Sequence, residues 1–148
     1  MKKHTEILLV EDSPYDAEFT IRALKKRSPT TQLVHVEDGQ SALDFMFGEG
    51  RFAGRDIRNQ PAVVLLDMKL PKLGGLDVLR ALRADARTKM VPIVILTSSH
   101  EDRDLAEAYQ LGVNSYIVKP FDSEKYLELV EGLFTYWLLL NQLPPIIP

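Results

Sequence analysis

Two apolar runs of the sequence end on carboxylates. The run "EILLV" (6–10) is followed by Glu11 and Asp12, and the run "AVVLL" (62–66) is followed by Asp67. Carboxylates that lie close together disfavour each other's ionisation, so a site that gathers three of them calls for a cation. Magnesium is a hard cation that binds carboxylate oxygens and leaves positions for water or a phosphoryl oxygen.

Each of these acids also has an ordinary structural interpretation. Asp12 can cap the helix that follows it, and Asp67 can cap its own loop. For either residue alone, capping is the simpler interpretation. If the fold brings all three acids to one place, a site for Mg²⁺ becomes the better one.

Two further apolar runs end on a hydroxyl and on an ammonium group. Thr97 follows "VPIVIL" (91–96), and Lys119 follows "SYIV" (115–118). A hydroxyl, an ammonium group and Mg²⁺ directed at one carboxylate can stabilise a phosphoryl group on that carboxylate. Because an aspartate can itself act as the nucleophile, these residue types indicate an aspartyl phosphate at Asp67.

Short apolar runs alternate with amphipathic stretches along the chain. The apolar runs, each predicted to form a strand, cover residues 6–10, 32–36, 62–66, 91–96 and 115–118. The amphipathic stretches, each predicted to form a helix, cover residues 14–27, 39–47, 76–84, 101–111 and about 123–140. Strict alternation predicts an α/β domain, a parallel sheet with helices on both faces. The charged, Gly-rich stretch 48–61 is predicted to be a solvated loop.

Right-handed crossovers leave few ways to order five parallel strands, and the commonest small order is 2-1-3-4-5. In that order strands 1 and 3 are neighbours at the point where the strand order reverses. Ligands of open α/β sheets bind there, beyond the carboxyl ends of the strands. The predicted fold therefore brings Glu11, Asp12 and Asp67 together, which favours the metal site over capping.

The composition is that of a globular protein with one domain. The 148 residues are 45% hydrophobic and 26% charged, contain no cysteine and carry a net charge of −3. The lack of cysteine excludes disulfides and thiolate chemistry, and the acidic balance argues against direct nucleic-acid binding. No apolar stretch approaches the roughly 20 residues of a membrane span, and the first apolar run is too short for a signal peptide. We therefore expect a cytoplasmic protein.

The motifs "LLVEDS", "LLDMKLPKLGG", "VILTSS" and "YIVKPF" occur at the ends of predicted strands 1, 3, 4 and 5. In this order and spacing they resemble the receiver domain of two-component response regulators, over residues 5–132. The resemblance implies a doubly wound, flavodoxin-like fold that accepts a phosphoryl group from a sensor histidine kinase. Residues 133–148 are expected to form a C-terminal helix extension and a Pro-rich tail, with no output domain.

The same resemblance implies a phosphoacceptor and a set of metal ligands. Asp67 matches the aspartate that receives the phosphoryl group. Mg²⁺ is expected to be held by Glu11, Asp12, Asp67 and the backbone carbonyl of Lys69.

It also implies residues that bind the phosphoryl group and switch with it. Thr97 and Lys119 are expected to contact the phosphoryl oxygens. Thr97 and Tyr116 are expected to change conformation on activation. The peptide bond between Lys119 and Pro120 is expected to be cis, as it is in this family.

The loop 48–61 and the tail "GLFTYWLLLNQLPP" resemble small regulators that serve phytochrome-type kinases. Apolar residues surround much of this tail helix, and soluble monomers do not usually leave such a surface exposed. We therefore expect a two-fold homodimer through helix 4, strand 5, helix 5 and the tail. The alternative is a tail that folds back over its own domain.

Two other functions compete with a phosphoaccepting regulator. A hydrolase of the aspartyl-phosphate type resembles an Asp-x-Asp signature, but Lys69 stands two residues after Asp67. A receiver-like module that works by binding alone has no need of the acids, Thr97 and Lys119. The sequence therefore favours a phosphoacceptor that is not an enzyme for external substrates.

Overall fold

The computed structural model describes residues 4–145 and confirms the predicted alternation of strands and helices. The strands are β1 (Ile7–Val10), β2 (Leu33–Val36), β3 (Val63–Leu66), β4 (Ile93–Thr97) and β5 (Ser115–Val118). The helices are α1 (Pro14–Arg27), α2 (Gly39–Phe47), α3 (Gly75–Ala84), α4 (Asp102–Gln110) and α5 (Ser123–Phe134). A 3-10 turn follows α2 at Gly50–Phe52, and a π-helical segment continues α5 at Thr135–Leu140.

All strand pairs are parallel, and the sheet has the predicted order β2-β1-β3-β4-β5. The inner strand β1 places Val10 opposite both Val36 and Leu66. The backbone pairing continues one residue further, since Asp67 N–H donates to the Val10 carbonyl at 3.1 Å. The residues that follow β1 and β3 therefore leave the sheet side by side.

The sheet separates two apolar cores, which fixes the alternation of side chains along each strand. On one face, side chains of the central strands pack with those of α1 and α5, including Leu9, Leu65, Leu24 and Val130. On the other face they pack with α2, α3 and α4, including Leu8, Leu66, Met46, Leu79 and Ala108. Because both faces are covered, the central strands are continuously apolar, and polar groups collect only where the strands end.

The amphipathic face of α4 is less buried than its sequence pattern predicts. Ala108 is fully buried, but Leu105 is 36% exposed and Tyr109 is 54% exposed. The strand beside this helix, β5, pairs only with β4 and so forms one edge of the sheet. Helix α4 covers this end of the sheet with one side chain and leaves two apolar ones at the surface.

The stretch 48–61 is more ordered than the solvated loop predicted from its charge. The Phe52 ring packs edge-on against Phe45, with 5.2 Å between the ring centroids. The Arg55 guanidinium lies 4.0 Å from the centroid of the Phe45 ring, and its Nε donates to the Phe45 carbonyl at 2.8 Å. One aromatic residue of α2 therefore anchors the loop.

The C-terminal segment divides between the two predicted alternatives. Leu133 and Phe134 are buried, and Trp137 and Leu138 pack against the core shared by α1 and α5. Other apolar side chains stay at the surface, namely Tyr136 (50% exposed), Leu139 (57%), Leu140 (64%) and Leu143 (50%). The tail thus covers its own domain with one face and presents the other to solvent. The last three residues of the predicted extension, 146–148, lie outside the described residues.

Within residues 4–145, none of the helices has the length and apolar content that a membrane crossing requires.

Candidate functional site

Three carboxylates meet where β1 and β3 end. Glu11 and Asp12 follow β1, Asp67 follows β3, and one carboxylate oxygen from each lies within 4.8 Å of the others. Glu11 and Asp67 are buried, at 4% and 8% exposure, whereas Asp12 is exposed. The site therefore has two acids in its floor and one at its solvent-facing rim.

Neither of the capping interpretations accounts for these acids. Helix α1 is capped by Ser13, whose hydroxyl accepts from Asp16 N–H at 3.3 Å, so Asp12 is not the cap. Helix α3 begins after Gly74, seven residues beyond Asp67. One oxygen of Asp67, Oδ1, does accept from Met68 N–H at 2.7 Å, which orients the carboxylate and leaves Oδ2 facing the site.

Lys119 donates to three carboxylates from its single ammonium group. Its Nζ lies 2.5 Å from Glu11 Oε1, 2.9 Å from Asp16 Oδ2 and 3.3 Å from Asp67 Oδ2. The lysine side chain is only 8% exposed. Burial alone would lower the pKa of Lys119, but the hydrogen bonds to Glu11 and Asp16 outweigh it and raise the pKa above its ordinary value.

For Glu11, burial affects the pKa more strongly than the hydrogen bond from Lys119 does. Burial raises the pKa of Glu11 to about 7, the hydrogen bond from Lys119 offsets only part of this, and the nearby charge of Asp67 adds to it. Four carboxylates, those of Glu11, Asp12, Asp16 and Asp67, lie at this site, and Lys119 pairs with all of them except Asp12. The site therefore carries an excess of negative charge that a divalent cation would neutralise.

The residues present fit Mg²⁺. The three acids supply only oxygen donors, which suits a hard cation, and the exposed side of Asp12 leaves room for water ligands. Lys69, whose backbone carbonyl the resemblance to receiver domains adds to this set, lies in the exposed turn two residues after Asp67.

A hydrogen-bonded series of side chains runs from β4 to β5 beside the acids. Thr97 is buried, and its Oγ1 accepts from Ser99 N–H at 3.3 Å. The Ser99 hydroxyl donates to Asp104 Oδ2 at 2.6 Å, and the Tyr116 hydroxyl donates to the Ser99 carbonyl at 2.9 Å. Burial raises the pKa of Tyr116, so this hydroxyl remains a donor at neutral pH. The series connects Thr97 to Tyr116 through the loop between β4 and α4.

The turn after Asp67 is shaped by two glycines that approach it closely. A Cβ atom on Gly75 would lie 2.2 Å from the Asp67 carbonyl oxygen, and one on Gly39 would lie 2.0 Å from the Leu73 carbonyl oxygen. Lys72, in the same turn, adopts a positive φ of 66°. Its Nζ lies 3.5 Å from Oδ2 of Asp38, the residue that caps α2. The first turns of α2 and α3 therefore hold the loop that carries Asp67.

Residues 7–131 of this chain match the model of a protein family described as the response regulator receiver domain. The chain belongs to this family. It is 40% identical over 139 residues to a protein of Methanothrix harundinacea described as probable methanogenesis regulatory protein FilR2, covering 93% of this chain and 86% of that one. It is 33% identical over 138 residues to the response regulator Rcp1 of Synechocystis, covering 93% and 92%.

Solved structures of response regulators share this receiver fold over nearly the whole chain. The phosphorylated cyanobacterial phytochrome response regulator RcpA superposes with a TM-score of 0.89 at 33% identity, over 97% of this chain and all of that one. The Mn²⁺-bound form of Rcp1 superposes with a TM-score of 0.87 at 33% identity, over 95% of this chain and 99% of that one. The matched length includes most of the C-terminal segment beyond residue 131.

One detail of the receiver site differs from what the family resemblance implies. The bond between Lys119 and Pro120 is trans, not cis, and the lysine reaches its three acids in this conformation, which is the one X–Pro bonds favour. Thr97 and Lys119 stand at strand ends, yet both side chains are almost fully buried. Carboxylates surround the lysine, and the loop after β4 covers the threonine.

Sequence reasoning missed Asp16 as a member of this receiver site. It lies in the first turn of α1, four residues after Asp12, and reaches Lys119 from the helix rather than from a strand end. The signal was present in "SPYD", since an acid three residues after a capping serine faces back toward the cap and the strand end before it. His35 of β2 contributes to the same region from the other side of β1, since its Nε2 hydrogen-bonds the Glu11 carbonyl at 2.8 Å.

Proposed function

We propose that this receiver accepts a phosphoryl group on Asp67 from a histidine of a sensor kinase. One observation carries the proposal. The Asp67 carboxylate lies at the reversal point of the sheet, grouped with Glu11 and Asp12 and 3.3 Å from the Lys119 ammonium. A nucleophilic carboxylate with an adjacent cation and a cluster of metal-binding oxygens is suited to phosphoryl transfer.

In the transfer, a carboxylate oxygen of Asp67 attacks phosphorus and forms a new P–O bond. The P–N bond to the kinase histidine breaks, and its electron pair leaves with the imidazole nitrogen, which takes up a proton from solvent. Met68 N–H holds one oxygen of Asp67 at 2.7 Å, so the carboxylate presents a fixed orientation to the donor. Such orientation lowers the entropic part of the barrier.

Glu11, Asp12, Asp67 and the backbone carbonyl of Lys69 would hold Mg²⁺ in this proposal. The ion supplies positive charge that offsets the negative charge of the phosphoryl oxygens. The acids on the chain contribute selectivity for a hard cation, and Lys119 contributes the second positive charge. The similarity to the Mn²⁺-bound form of Rcp1 supports a divalent cation in this site.

Thr97 and Lys119 would bind the phosphoryl oxygens, and Tyr116 would respond through Thr97. The Thr97 hydroxyl can rotate toward a new acceptor, which removes the Oγ1 contact that Ser99 N–H now makes. Ser99 also carries the carbonyl that the Tyr116 hydroxyl binds. A movement of this loop toward Asp67 would therefore release Tyr116, which supports the assignment of these two residues as a switch.

The kinase partner is proposed to be of the phytochrome type. The similarity to the cyanobacterial phytochrome response regulator RcpA supports this assignment, because it extends over more than 90% of each chain. The comparison to make is phosphoryl transfer to this chain from a purified phytochrome kinase and from an unrelated histidine kinase. Transfer from the phytochrome kinase should be faster by about tenfold or more if partner choice follows complementary contacts.

We also propose that residues 5–132 act as the receiver and that residues 133–148 extend its contact surface. The supporting observation is that α4, β5 and the tail each carry exposed apolar side chains: Leu105, Tyr109, Val118, Tyr136, Leu139 and Leu140. A homodimer through this surface would bury them and cover the free edge of β5. The signal would leave the molecule through this contact, through other partners or by onward phosphotransfer.

The test of the central step is an intact-mass measurement after incubation with Mg²⁺ and acetyl phosphate. The wild type should gain one phosphoryl group, and chelation of the metal should abolish the gain. Asp67→Asn should gain none, whereas the control Asp77→Asn, which changes an exposed acid at the start of α3, should behave as wild type. If the wild type gains no mass with metal present, the chain is an interaction-only receiver and the proposal is wrong.

A further inference from the structure

Asp16 brings a fourth carboxylate to the receiver site, and its role is not explained by metal binding. It lies in the first turn of α1 and accepts from Lys119 Nζ at 2.9 Å, a shorter contact than the 3.3 Å to Asp67. An ammonium group has three N–H donors. Glu11, Asp16 and Asp67 take one each, so Lys119 has no free donor for a phosphoryl oxygen.

Helix α1 holds Asp16 in a fixed position. Ser13 caps the first turn, and Pro14 begins the helix. One turn further on, the Thr20 hydroxyl hydrogen-bonds the Tyr126 hydroxyl of α5 at 3.1 Å, and both residues are buried. The Phe19 ring packs edge-on against Tyr126 with 5.1 Å between centroids. Because α1 is anchored to α5, the group that can move is the lysine side chain.

We propose that Asp16 is a positioning residue that draws Lys119 toward α1 and competes with the phosphoryl group for its third donor. This inference rests on the proposed function, in which Lys119 binds the phosphoryl group on Asp67. Of the three acid partners, Asp16 has the most exposed side chain, at 30% compared with 5% for Glu11 and 11% for Asp67. Water can therefore replace the lysine at Asp16 with the least loss of solvation.

Two consequences follow for the receiver. Asp16 weakens the binding of a phosphoryl group, because Lys119 must give up a charge-assisted hydrogen bond before it can donate to that group. Phosphorylation also releases the contact between the end of β5 and the first turn of α1. The charge state of Asp67 is thereby communicated to α1, on the face of the sheet opposite Tyr116 and α4.

Beryllofluoride, BeF₃⁻, is the probe for this competition because it binds aspartates as a phosphoryl analogue. Its dissociation constant is measured by ¹⁹F NMR on the full chain, with Mg²⁺ raised until further addition changes nothing. The variant is Asp16→Ala, and the matched control is Asp77→Ala. Both acids are the third residue of a helix that starts at the same edge of the sheet, but Asp77 pairs with Arg80 at the surface. The control therefore reproduces the general loss of negative charge without touching Lys119.

We expect Asp16→Ala to bind beryllofluoride about threefold to fivefold more tightly than Asp77→Ala, the range that one partly exposed ion pair supplies. Asp16→Asn, which keeps the shape but removes the charge, should change in the same direction by less. A merely structural role for Asp16 predicts weaker binding instead. Affinity of Asp16→Ala equal to or below that of the control would overturn the inference while leaving Asp67 as the acceptor. Absence of any bound signal in wild type and control would overturn the proposed function and this inference with it.

Discussion

At the scale of single residues, the site is governed by a shortage of positive charge. Lys119 satisfies three carboxylates, two of which are buried, and the pKa of Glu11 is still raised to about 7. A buried ion pair contributes little net stability, but removing one partner leaves the other charge without compensation. We therefore expect Lys119 to affect folding as well as the proposed phosphoryl transfer.

Replacing Lys119 with methionine should destabilise the fold in the absence of metal. Methionine keeps most of the apolar stem but leaves Glu11 and Asp67 buried without a cation, at a cost of about 3 to 5 kcal/mol. Urea unfolding measures this cost, and Mg²⁺ should recover part of it. The control is Lys72→Met, because that lysine is 70% exposed and its pair with Asp38 should contribute under about 1 kcal/mol. Equal stabilities for the two variants would contradict the account of Lys119.

The sequence predicts which residues gather at the site but not how deeply they are buried. Glu11, Asp67, Thr97 and Lys119 each follow an apolar run, and parallel strands bring such ends to one edge. Their burial depends on the loops that follow, and loop paths carry no periodic signal. Asp16 escaped prediction for a related reason, since its contact with Lys119 spans 103 residues and is set by the direction of α1.

At the scale of elements, the loop between β3 and α3 depends on close packing against two helix starts. Gly75 belongs to the helix that the loop enters, whereas Gly39 lies on α2, which is remote in sequence. A pattern of apolar residues predicts the helices themselves, as it did here to within one residue for α1 to α4. It cannot predict that the first residue of α2 must lack a side chain, because the atoms it meets belong to Leu73.

Gly39→Ala should destabilise the fold and disturb the phosphoacceptor loop. The added Cβ would lie 2.0 Å from the Leu73 carbonyl oxygen, which is backbone and cannot turn aside. Overpacking of this kind costs about 1 to 3 kcal/mol. In contrast, Gly132→Ala in α5 meets no atom within 4 Å and should stabilise the helix by about 1 kcal/mol. Urea denaturation of both variants checks this pair, and a neutral effect of Gly39→Ala would show that the loop is free to shift.

At the scale of the whole molecule, the tail is both a cover and an exposed surface. The sequence shows apolar residues around much of the helix, and in the structure Phe134, Trp137 and Leu138 pack against the core while Tyr136, Leu139 and Leu140 are exposed. The helix changes to π-helical geometry at Thr135, which alters the angle between successive side chains. Truncation at Gly132 would remove the buried residues Leu133 and Phe134, and a substitution on the exposed face is the cleaner test.

Leu139→Glu should weaken self-association without unfolding the domain. Leu139 is 57% exposed, so a charge there costs little in the monomer but would be buried in the proposed dimer. Sedimentation velocity, with and without acetyl phosphate, should show that Leu139→Glu self-associates at least about tenfold more weakly than the wild type. Met90→Glu, another exposed apolar site at 47%, serves as the control. A wild type that stays monomeric in both conditions would rule out the dimer.

The central claim is that Asp67 is the residue that receives the phosphoryl group. Borohydride reduces an aspartyl phosphate to homoserine, so peptide mapping after treatment with Mg²⁺, acetyl phosphate and borohydride identifies the acceptor directly. We predict homoserine at position 67 and at no other aspartate, including Asp12 and Asp16, which lie in the same cluster. Homoserine at another position, or none in protein whose intact mass shows a phosphoryl group, would contradict the account.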